Sequence, residues 1–290
     1  MRKASLLTLL LVISFPLNLL AESLKTDSLR VDANWLSSQL DNENLVVLDV
    51  RPREDYELEH IPGALHFPES MTYRNQDEGG SIVEPNIIQK SLQELGVDTH
   101  HEIVVYDDGK LFKSSRVFWT LEVYGFKNVR VLNGGLVAWK KPGFPLTDEV
   151  SKRPPSKYVA MVDHQRIASK FSTQLATINP KQTVIDARST KAYRGETSTA
   201  KRFGHIPSAI NIAVHQQFEN TDNANFLLNS DELRNLYSGV PKDEKVVLYC
   251  EVGKVSSTNY LVLRELGYDV ANYDASWREW GNDFTLPIEK

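Results

Sequence analysis

The only cysteine of the chain, Cys250, is the residue best suited to covalent chemistry. It follows a short apolar run at residues 246–249, which is typical of a buried strand. Apolar residues at helical spacing continue over residues 256–266, with Ser256 or Ser257 as the predicted N-cap. We therefore predict that Cys250 lies in a tight loop between a strand and a helix N-terminus.

Such a loop favours a nucleophilic sulfur, because its backbone N–H groups lack helical partners and stabilise a thiolate. Gly253 permits the bend and Lys254 adds a positive charge. The alternative is a buried structural cysteine, since free cysteine is among the most buried residue types. The setting favours a catalytic Cys250, with substrate contacts from Glu251, Val252, Gly253, Lys254 and Val255.

Two arginines of the same half of the chain are candidates for binding an anionic substrate. Arg188 comes just past a predicted strand end, and a guanidinium can hold a sulfonate or carboxylate with two N–H donors. Arg194 is the second candidate. The alternative for both is a structural ion pair, for example with Asp186 or Glu196.

The first 21 residues have the pattern of a secretory signal peptide. Arg2 and Lys3 precede an apolar run that Pro16 interrupts. We predict cleavage after Ala21, export to the periplasm or outside the cell, and no stable membrane insertion after the signal is removed. An uncleaved anchor is the alternative, because Leu19 is large for the position three residues before the cut.

The composition argues against several other classes of protein. The 290 residues carry a formal net charge of −5 without a basic block, so no nucleic-acid partner is predicted. One cysteine cannot form an internal disulfide, and an exported lone thiol is either used, shielded or paired between molecules. With scattered histidines, the sequence contains no metal-ligand cluster. Neither a metal nor an organic cofactor is predicted, and the oligomeric state stays open.

The chain contains two copies of one pattern. An apolar strand ending in Asp-x-Arg occurs at residues 46–51 and 184–188, and His-Ile-Pro recurs at 60–62 and 205–207. Two later blocks also match, and all offsets lie between 137 and 145 residues. This duplication predicts two domains, at residues 22–148 and 158–290, joined by a polar linker at residues 149–157.

Short apolar strands alternate with helical stretches in each copy, which predicts α/β domains with a mainly parallel sheet flanked by helices. In the first copy we expect strands at residues 45–50, 102–106 and 129–132, and helices near 33–40, 86–95, 113–124 and 136–139. Ligands of such sheets bind beyond the carboxyl ends of strands, where Cys250 lies. The first copy has Asp107 at this position, so the second copy is predicted to carry the reaction.

Several residues recur in both copies and are therefore expected to be structural, since one copy lacks the thiol. Asp49 and Asp186, like His60 and His205, are predicted to hold the strand end and the following turn by hydrogen bonds. The tryptophans Trp139 and Trp280 are predicted to pack in the core or between the domains.

These motifs resemble the rhodanese, or sulfurtransferase, family in its tandem-domain form, from about Leu29 to the end of the chain. In the first copy the resemblance rests on Asp-x-Arg with His-Ile-Pro-Gly-Ala. In the second it rests on Cys250 with residues 186–188, 193–196, 204–207 and 273–280. It implies that the cysteine takes a sulfane sulfur from an anionic donor, thiosulfate or 3-mercaptopyruvate. The resulting persulfide would pass the sulfur to cyanide or a thiol.

The loop departs from both well-known subtypes of that family. Thiosulfate enzymes tend to have Arg and Lys directly after the cysteine, where this chain has Glu251 and Val252. Mercaptopyruvate enzymes tend to have Gly and Ser there, with a threonine at the position of Val255. The Glu251 side chain is expected either to pair with Lys254 or an arginine, or to repel dianionic donors.

Two other functions fit the same loop. An exported persulfide carrier or sulfur-binding module would use Cys250 without turnover, and Glu251 beside the thiol motivates this alternative. Some phosphatases share this fold and cysteine, but they need an arginine six places later to hold the equatorial phosphate oxygens. That place is Ser256, which makes a phosphatase the remote alternative.

Overall fold

The computed structural model describes residues 28–75, 80–219 and 223–290, and these residues contain two five-stranded sheets. The predicted signal peptide at residues 1–21 lies outside the described residues. Within the described ranges, no helix is both long enough and apolar enough to cross a membrane.

The first domain has five parallel strands in the order β1-β5-β4-β2-β3. The strands are β1 Arg30–Val31, β2 Leu45–Asp49, β3 Leu65–His66, β4 Glu102–Tyr106 and β5 Val129–Leu132. The helices are α1 Ala33–Gln39, α2 Arg53–Leu58, α3 Pro85–Glu94, α4 Phe112–Val123 and α5 Gly135–Lys140, with a 3-10 turn at Glu69–Thr72.

The second domain repeats this arrangement with the strand order β6-β10-β9-β7-β8, again parallel. The strands are β6 Ile167–Ala168, β7 Gln182–Asp186, β8 Ile210–Asn211, β9 Lys245–Tyr249 and β10 Val270–Tyr273. The helices are α6 Lys170–Ala176, α7 Thr190–Tyr193, α8 Ser230–Leu236, α9 Ser256–Glu265 and α10 Ser276–Trp280, with a 3-10 turn at Val214–Gln217.

The predicted α/β fold with parallel sheets is confirmed. The central strands β2, β4, β7 and β9 are almost wholly buried, because helices cover both faces of each sheet. The predicted strands and helices of the first copy are present, and each observed bound agrees with the predicted one to within one residue. Residues 149–157, the predicted linker, form neither helix nor strand.

One apolar core cluster spans both domains, beside a smaller cluster within each. The longest helices of the domains, α4 and α9, pack against each other, and one cluster of buried side chains includes Phe118 and Leu121 of α4 with Tyr260 and Leu261 of α9. The Glu122 carboxylate adds polar contacts across the same interface, to the Tyr260 hydroxyl at 2.6 Å and to Arg264 Nε at 3.1 Å. The loops at the carboxyl ends of both sheets are therefore held relative to one another.

Candidate active site

Cys250 lies in the predicted loop between a strand and a helix, directly after β9 and six residues before the first residue of α9. The residue is only 1% exposed, whereas its loop neighbours Glu251, Val252, Lys254 and Val255 are partly exposed. The sulfur therefore lies beneath a rim of loop residues that solvent reaches.

Among the described residues, Ser256 supplies the side-chain hydrogen bond to the sulfur. Its Oγ lies 3.4 Å from Cys250 Sγ and 2.7 Å from Asn272 Oδ1. A hydroxyl has one proton, so Ser256 can donate to the sulfur or to the amide oxygen. The predicted N-cap role of Ser256 or Ser257 is wrong: the N-cap is Val255, which makes no side-chain cap, and the Ser257 hydroxyl donates to Gly253 O.

The Ser276 side chain holds the backbone of the loop by hydrogen bonds. Its Oγ accepts hydrogen bonds from the backbone N–H groups of Cys250 at 3.1 Å and Gly253 at 3.0 Å, and donates to Tyr273 O at 2.7 Å. The expectation that the loop N–H groups stabilise a thiolate is therefore wrong for these two. They fix the backbone of the loop instead.

Other amides of this loop have no partner. Among the described residues, the N–H groups of Val252, Lys254 and Ser256 donate no hydrogen bond. They are half-buried or buried, and half-buried N–H groups are normally satisfied by protein or water. The loop thus keeps donors available beside the thiol.

The first domain shows what such a loop can hold. The fully buried carboxylate of Asp107 accepts hydrogen bonds from four amides of the loop and the first turn of α4, at 2.9 to 3.2 Å. The donors are the N–H groups of Gly109, Leu111, Lys113 and Ser114. Counted from Cys250, three of these positions correspond to the unpartnered Val252, Lys254 and Ser256. The duplicated loop is therefore built to surround an anion.

Arg188 makes the contacts of a structural ion pair, which was the alternative to donor binding. Its guanidinium binds both carboxylate oxygens of Asp186 at 2.6 to 3.0 Å and donates to Gly204 O at 2.8 Å. Burial by itself would lower the pKa of Arg188, but the hydrogen bonds and charge of Asp186 raise it above its usual value. Arg51 and Asp49 form the same pair in the domain without a thiol, so the geometry belongs to the fold.

One nitrogen of Arg188 remains outside that pair. Its buried Nη1 has no hydrogen-bond partner within the described ranges and lies 3.8 Å from Glu251 Oε1. The other Glu251 oxygen accepts the Thr199 hydroxyl. Of the two outcomes expected for Glu251, pairing with an arginine is therefore the one observed, and its partner is Arg188 rather than Lys254.

The remaining predicted residues are partly or fully exposed. Lys254 reaches into the first domain and pairs with Glu69 at 3.1 Å. Arg194 is exposed just after α7, and within the described residues its side chain forms no hydrogen bond or ion pair. Val252 and Val255 are partly exposed apolar residues of the rim.

The recurring residues are structural, as predicted. His60 Nδ1 lies 2.7 Å from Tyr56 O, and His205 Nδ1 lies 2.9 Å from Tyr193 O. Each ring stacks on the tyrosine that it bonds, with ring centroids 3.9 Å apart. Trp139 and Trp280 are fully buried in the domain cores.

Sequence reasoning missed the residues that support the loop from outside it. Ser276 and Asp274 belong to a block that was singled out only as a family motif. Arg116, which donates to Gly253 O at 3.2 Å, lies in the other domain and carries no local signal. Only the packing of the two copies brings it to the loop.

Comparison with known proteins agrees with this geometry. The rhodanese-like domain family matches the chain twice, at residues 32–142 and 167–283. A Haloferax volcanii protein provisionally named a thiosulfate sulfurtransferase is 32% identical over 278 residues, which are 90% of this chain and 96% of that protein. The sulfur carrier protein TtuD of Thermus thermophilus is 34% identical over 279 residues, 90% of this chain and 96% of that protein.

The solved structures include a close match in fold. The crystal structure of SseA from Escherichia coli, described with the rhodanese fold of 3-mercaptopyruvate sulfotransferases, superposes with a TM-score of 0.76 at 26% identity. The match covers 86% of this chain and 99% of SseA. With both domains matched and the thiol loop in the second, the chain belongs to the rhodanese-like family, as a tandem of two such domains.

Proposed function

We propose that the protein is a sulfurtransferase that carries a sulfane sulfur as a persulfide on Cys250. One observation supports this most strongly: the thiol lies in a loop whose equivalent in the first domain binds a carboxylate with four amides. Three of the corresponding amides beside Cys250 have no partner within the described residues. A loop of this kind stabilises first a thiolate and then a persulfide anion.

The transfer proceeds in two displacements. The Cys250 thiolate attacks the outer sulfur of the donor and forms an S–S bond, while the donor's bond to that sulfur breaks and its electron pair leaves with the donor remnant. A thiol or cyanide acceptor then attacks the terminal sulfur, and the S–S electron pair returns to Cys250. Ser256, with its oxygen 3.4 Å from Sγ, can turn its proton to the sulfur whenever the sulfur is anionic.

For the donor we propose a small anion, thiosulfate or 3-mercaptopyruvate. Relatives named for these activities support it. Arg194 is the predicted cation whose charge stays uncompensated within the described residues. We therefore assign the donor's anionic group to Arg194, because the Arg188 guanidinium is already held by Asp186.

A persulfide carrier is the second candidate. Glu251 directly follows Cys250, and its partner Arg188 is already paired with Asp186, so these three side chains keep one net negative charge that disfavours small dianionic donors. The relative from Thermus thermophilus is named a sulfur carrier protein. The position of a phosphatase arginine is taken by the buried Ser256, so the geometry favours sulfur transfer over phosphate hydrolysis.

The test measures both steps on the purified protein. Intact-mass spectrometry after incubation with thiosulfate or 3-mercaptopyruvate should show the addition of one sulfur atom, and cyanide should then yield thiocyanate with turnover. Cys250→Ser should remove both signals. A persulfide that forms but does not turn over with any acceptor would support the carrier instead.

Asp107→Ala is the matched control, because it changes the equivalent position of the other domain. We expect nearly unchanged transfer per folded molecule. Comparable losses in Asp107→Ala and Cys250→Ser would contradict a single reactive site.

A further inference from the structure

Arg116 of the first domain, which lacks the thiol, is a buried cation that contacts the thiol loop of the second domain. It lies on α4 and is fully buried. Its Nη1 donates to Gly253 O at 3.2 Å and forms an ion pair with Asp274. Its Nε and Nη2 donate to Thr72 Oγ1 and Gly80 O, both at 3.2 Å. These contacts on three nitrogens fix the guanidinium in one orientation.

Two aromatic rings restrict it further. The Cζ atom of Arg116 lies 4.4 Å from the ring centroid of Tyr73 and 4.5 Å from that of Trp119. A planar guanidinium can stack and donate in several directions at once, which a lysine ammonium cannot do. The site is therefore specific for arginine rather than for any cation.

Arg116 contacts the thiol loop through the carbonyl oxygen of Gly253. Besides Arg116, it accepts Asn272 Nδ2 at 3.0 Å and Ser257 Oγ at 2.8 Å. The 253–254 peptide is planar and trans, so the Lys254 N–H points away from these three donors. Fixing the carbonyl therefore fixes the direction of that N–H.

The same amide binds an anion in the first domain. Lys254 corresponds to Leu111, whose N–H donates to Asp107 Oδ1 at 3.1 Å. In the second domain the Lys254 N–H donates no hydrogen bond among the described residues. Its counterpart thus identifies it as an anion-binding donor of the loop.

The ion pair is confined to the half of the interface that faces the thiol loop. By the offsets of the duplication, 143 and 141 residues, Arg116 corresponds to Asn259 and Asp274 to Asn133. Both counterparts are neutral: Asn259 Nδ2 donates to a backbone carbonyl at 2.9 Å, and Asn133 Oδ1 accepts a backbone N–H at 3.0 Å. The fold is thus satisfied without charges on the other side.

We propose that Arg116 is a positioning residue for sulfur transfer, which orients the 253–254 peptide so that the Lys254 N–H stabilises the anionic sulfur at Cys250. This inference rests on the proposed persulfide of Cys250. The domain that lacks the thiol thereby supplies part of the reactive geometry. An amide fixed in advance stabilises developing charge without reorganisation during the reaction.

The test replaces the charged pair by a neutral one. Arg116→Gln combined with Asp274→Asn leaves no unpaired charge in the interior and resembles the Asn259 and Asn133 side. In single-turnover experiments with thiosulfate, we expect persulfide formation to slow by about 10- to 100-fold, because a donor to the anion is misaligned. The donor KM should change little. Arg116→Lys, which keeps the charge beside Asp274, should fold like the wild type and still be slow.

Glu122→Gln is the matched control, since Glu122 lies on the same helix and bonds across the same interface to Tyr260 and Arg264 of α9. We expect it to lower the thermal stability and to leave the rate of persulfide formation unchanged. A wild-type rate in both Arg116 variants, or an equal rate loss in Glu122→Gln, would overturn the positioning role. A wild-type protein that forms no persulfide would overturn the proposed function, and this inference with it.

Discussion

Cys250 and Asp107 occupy the same loop position in the two domains, yet they satisfy their loops differently. The Asp107 carboxylate accepts hydrogen bonds from four backbone amides, whereas the Cys250 sulfur, in the part of the chain that the structure describes, accepts one from a hydroxyl and leaves three of the corresponding amides without a partner. A carboxylate completes its loop by itself. A thiol occupies the donors of its loop only when it carries a further anionic atom. For this reason we expect chemistry in the second domain.

Glu251 directly follows the thiol residue in the chain, and its replacement should change the rate with thiosulfate. Glu251→Gln keeps an acceptor for the Thr199 hydroxyl and removes the negative charge. Removing a like charge near a dianionic donor is worth about 1 kcal/mol, so the rate with thiosulfate should rise roughly five-fold. Glu251→Arg should raise it further. Steady-state kinetics with thiosulfate measure both.

Glu94→Gln serves as the control, because it removes the same charge from an exposed site on α3. Its rate should match that of the wild type. An unchanged rate in both Glu251 variants would refute repulsion as the factor that limits thiosulfate.

The loop between β9 and α9 depends on a backbone shape that only glycine tolerates well. Gly253 has φ of +72°, and a Cβ there would press on Asp274 Oδ1 and the Asp274 carbonyl oxygen. Gly267, just beyond the other end of α9, has φ of +81° and open space around it. Both glycines thus have a left-handed backbone, but of the two only Gly253 is placed so that a Cβ would press on neighbouring atoms.

We predict that Gly267→Ala lowers the free energy of unfolding by about 1 kcal/mol, from the left-handed backbone alone. Gly253→Ala should lower it by about 3 kcal/mol, because overpacking adds to the same strain, and it should abolish persulfide formation. Urea denaturation and intact-mass spectrometry provide the two measurements. Equal losses of stability, with transfer retained in Gly253→Ala, would show that the Asp274 contact does not shape the loop.

The end of the chain is tied to α6 by a carboxylate with an unusual titration. Hydrogen bonds from Thr285 at 2.6 Å and from Lys170 at 3.0 Å lower the pKa of Asp283 to about 2. Because the pKa in the folded state lies below the ordinary 3.8, the stabilisation is present above pH 3.8 and is lost as the pH falls through about 2. NMR titration of the Asp283 carboxyl should give this midpoint, and Thr285→Val should raise it. A wild-type midpoint near 3.8 would contradict these contacts.

At the scale of the whole molecule, each domain supports the loop of the other. Arg116 and Glu69 of the first domain reach Gly253 and Lys254. In the opposite direction, Asn225 of the second domain donates to Gly109 O and Lys110 O, each at 2.8 Å. The single apolar cluster through α4 and α9 connects these contacts. The first domain is therefore part of the working protein although it lacks a thiol.

This shared core predicts that the two domains unfold together. Differential scanning calorimetry should show one transition whose calorimetric and van't Hoff enthalpies agree. Phe118→Ala, at the contact of α4 with α9, should lower the Tm of that transition by about 6–12 °C without splitting it. Leu58→Ala, at an exposed position of α2, should leave the Tm unchanged. Two resolved transitions in the wild type would contradict one cooperative unit.

The sequence alone predicts the duplication, the parallel α/β class, the place of Cys250 between β9 and α9 and, in the first copy, the strands and helices other than β1, β3, α2 and the 3-10 turn. These features follow from local patterns: apolar runs define buried strands, and repeated motifs define repeated domains. The roles of Asp49, Asp186, His60 and His205 were also predictable, because they recur where no thiol is present.

Which charges meet at the loop depends on the tertiary structure. In the folded chain Arg188 pairs with Asp186 and Glu251, and Lys254 pairs with Glu69. Arg116 of the other domain donates a hydrogen bond to Gly253 O. Arg116 and Gly253 are 137 residues apart in the chain, and no local pattern links them. Pairing between buried charges depends on how α4 and α9 pack, and that packing is set by the apolar surfaces of two whole domains rather than by the residues around the thiol.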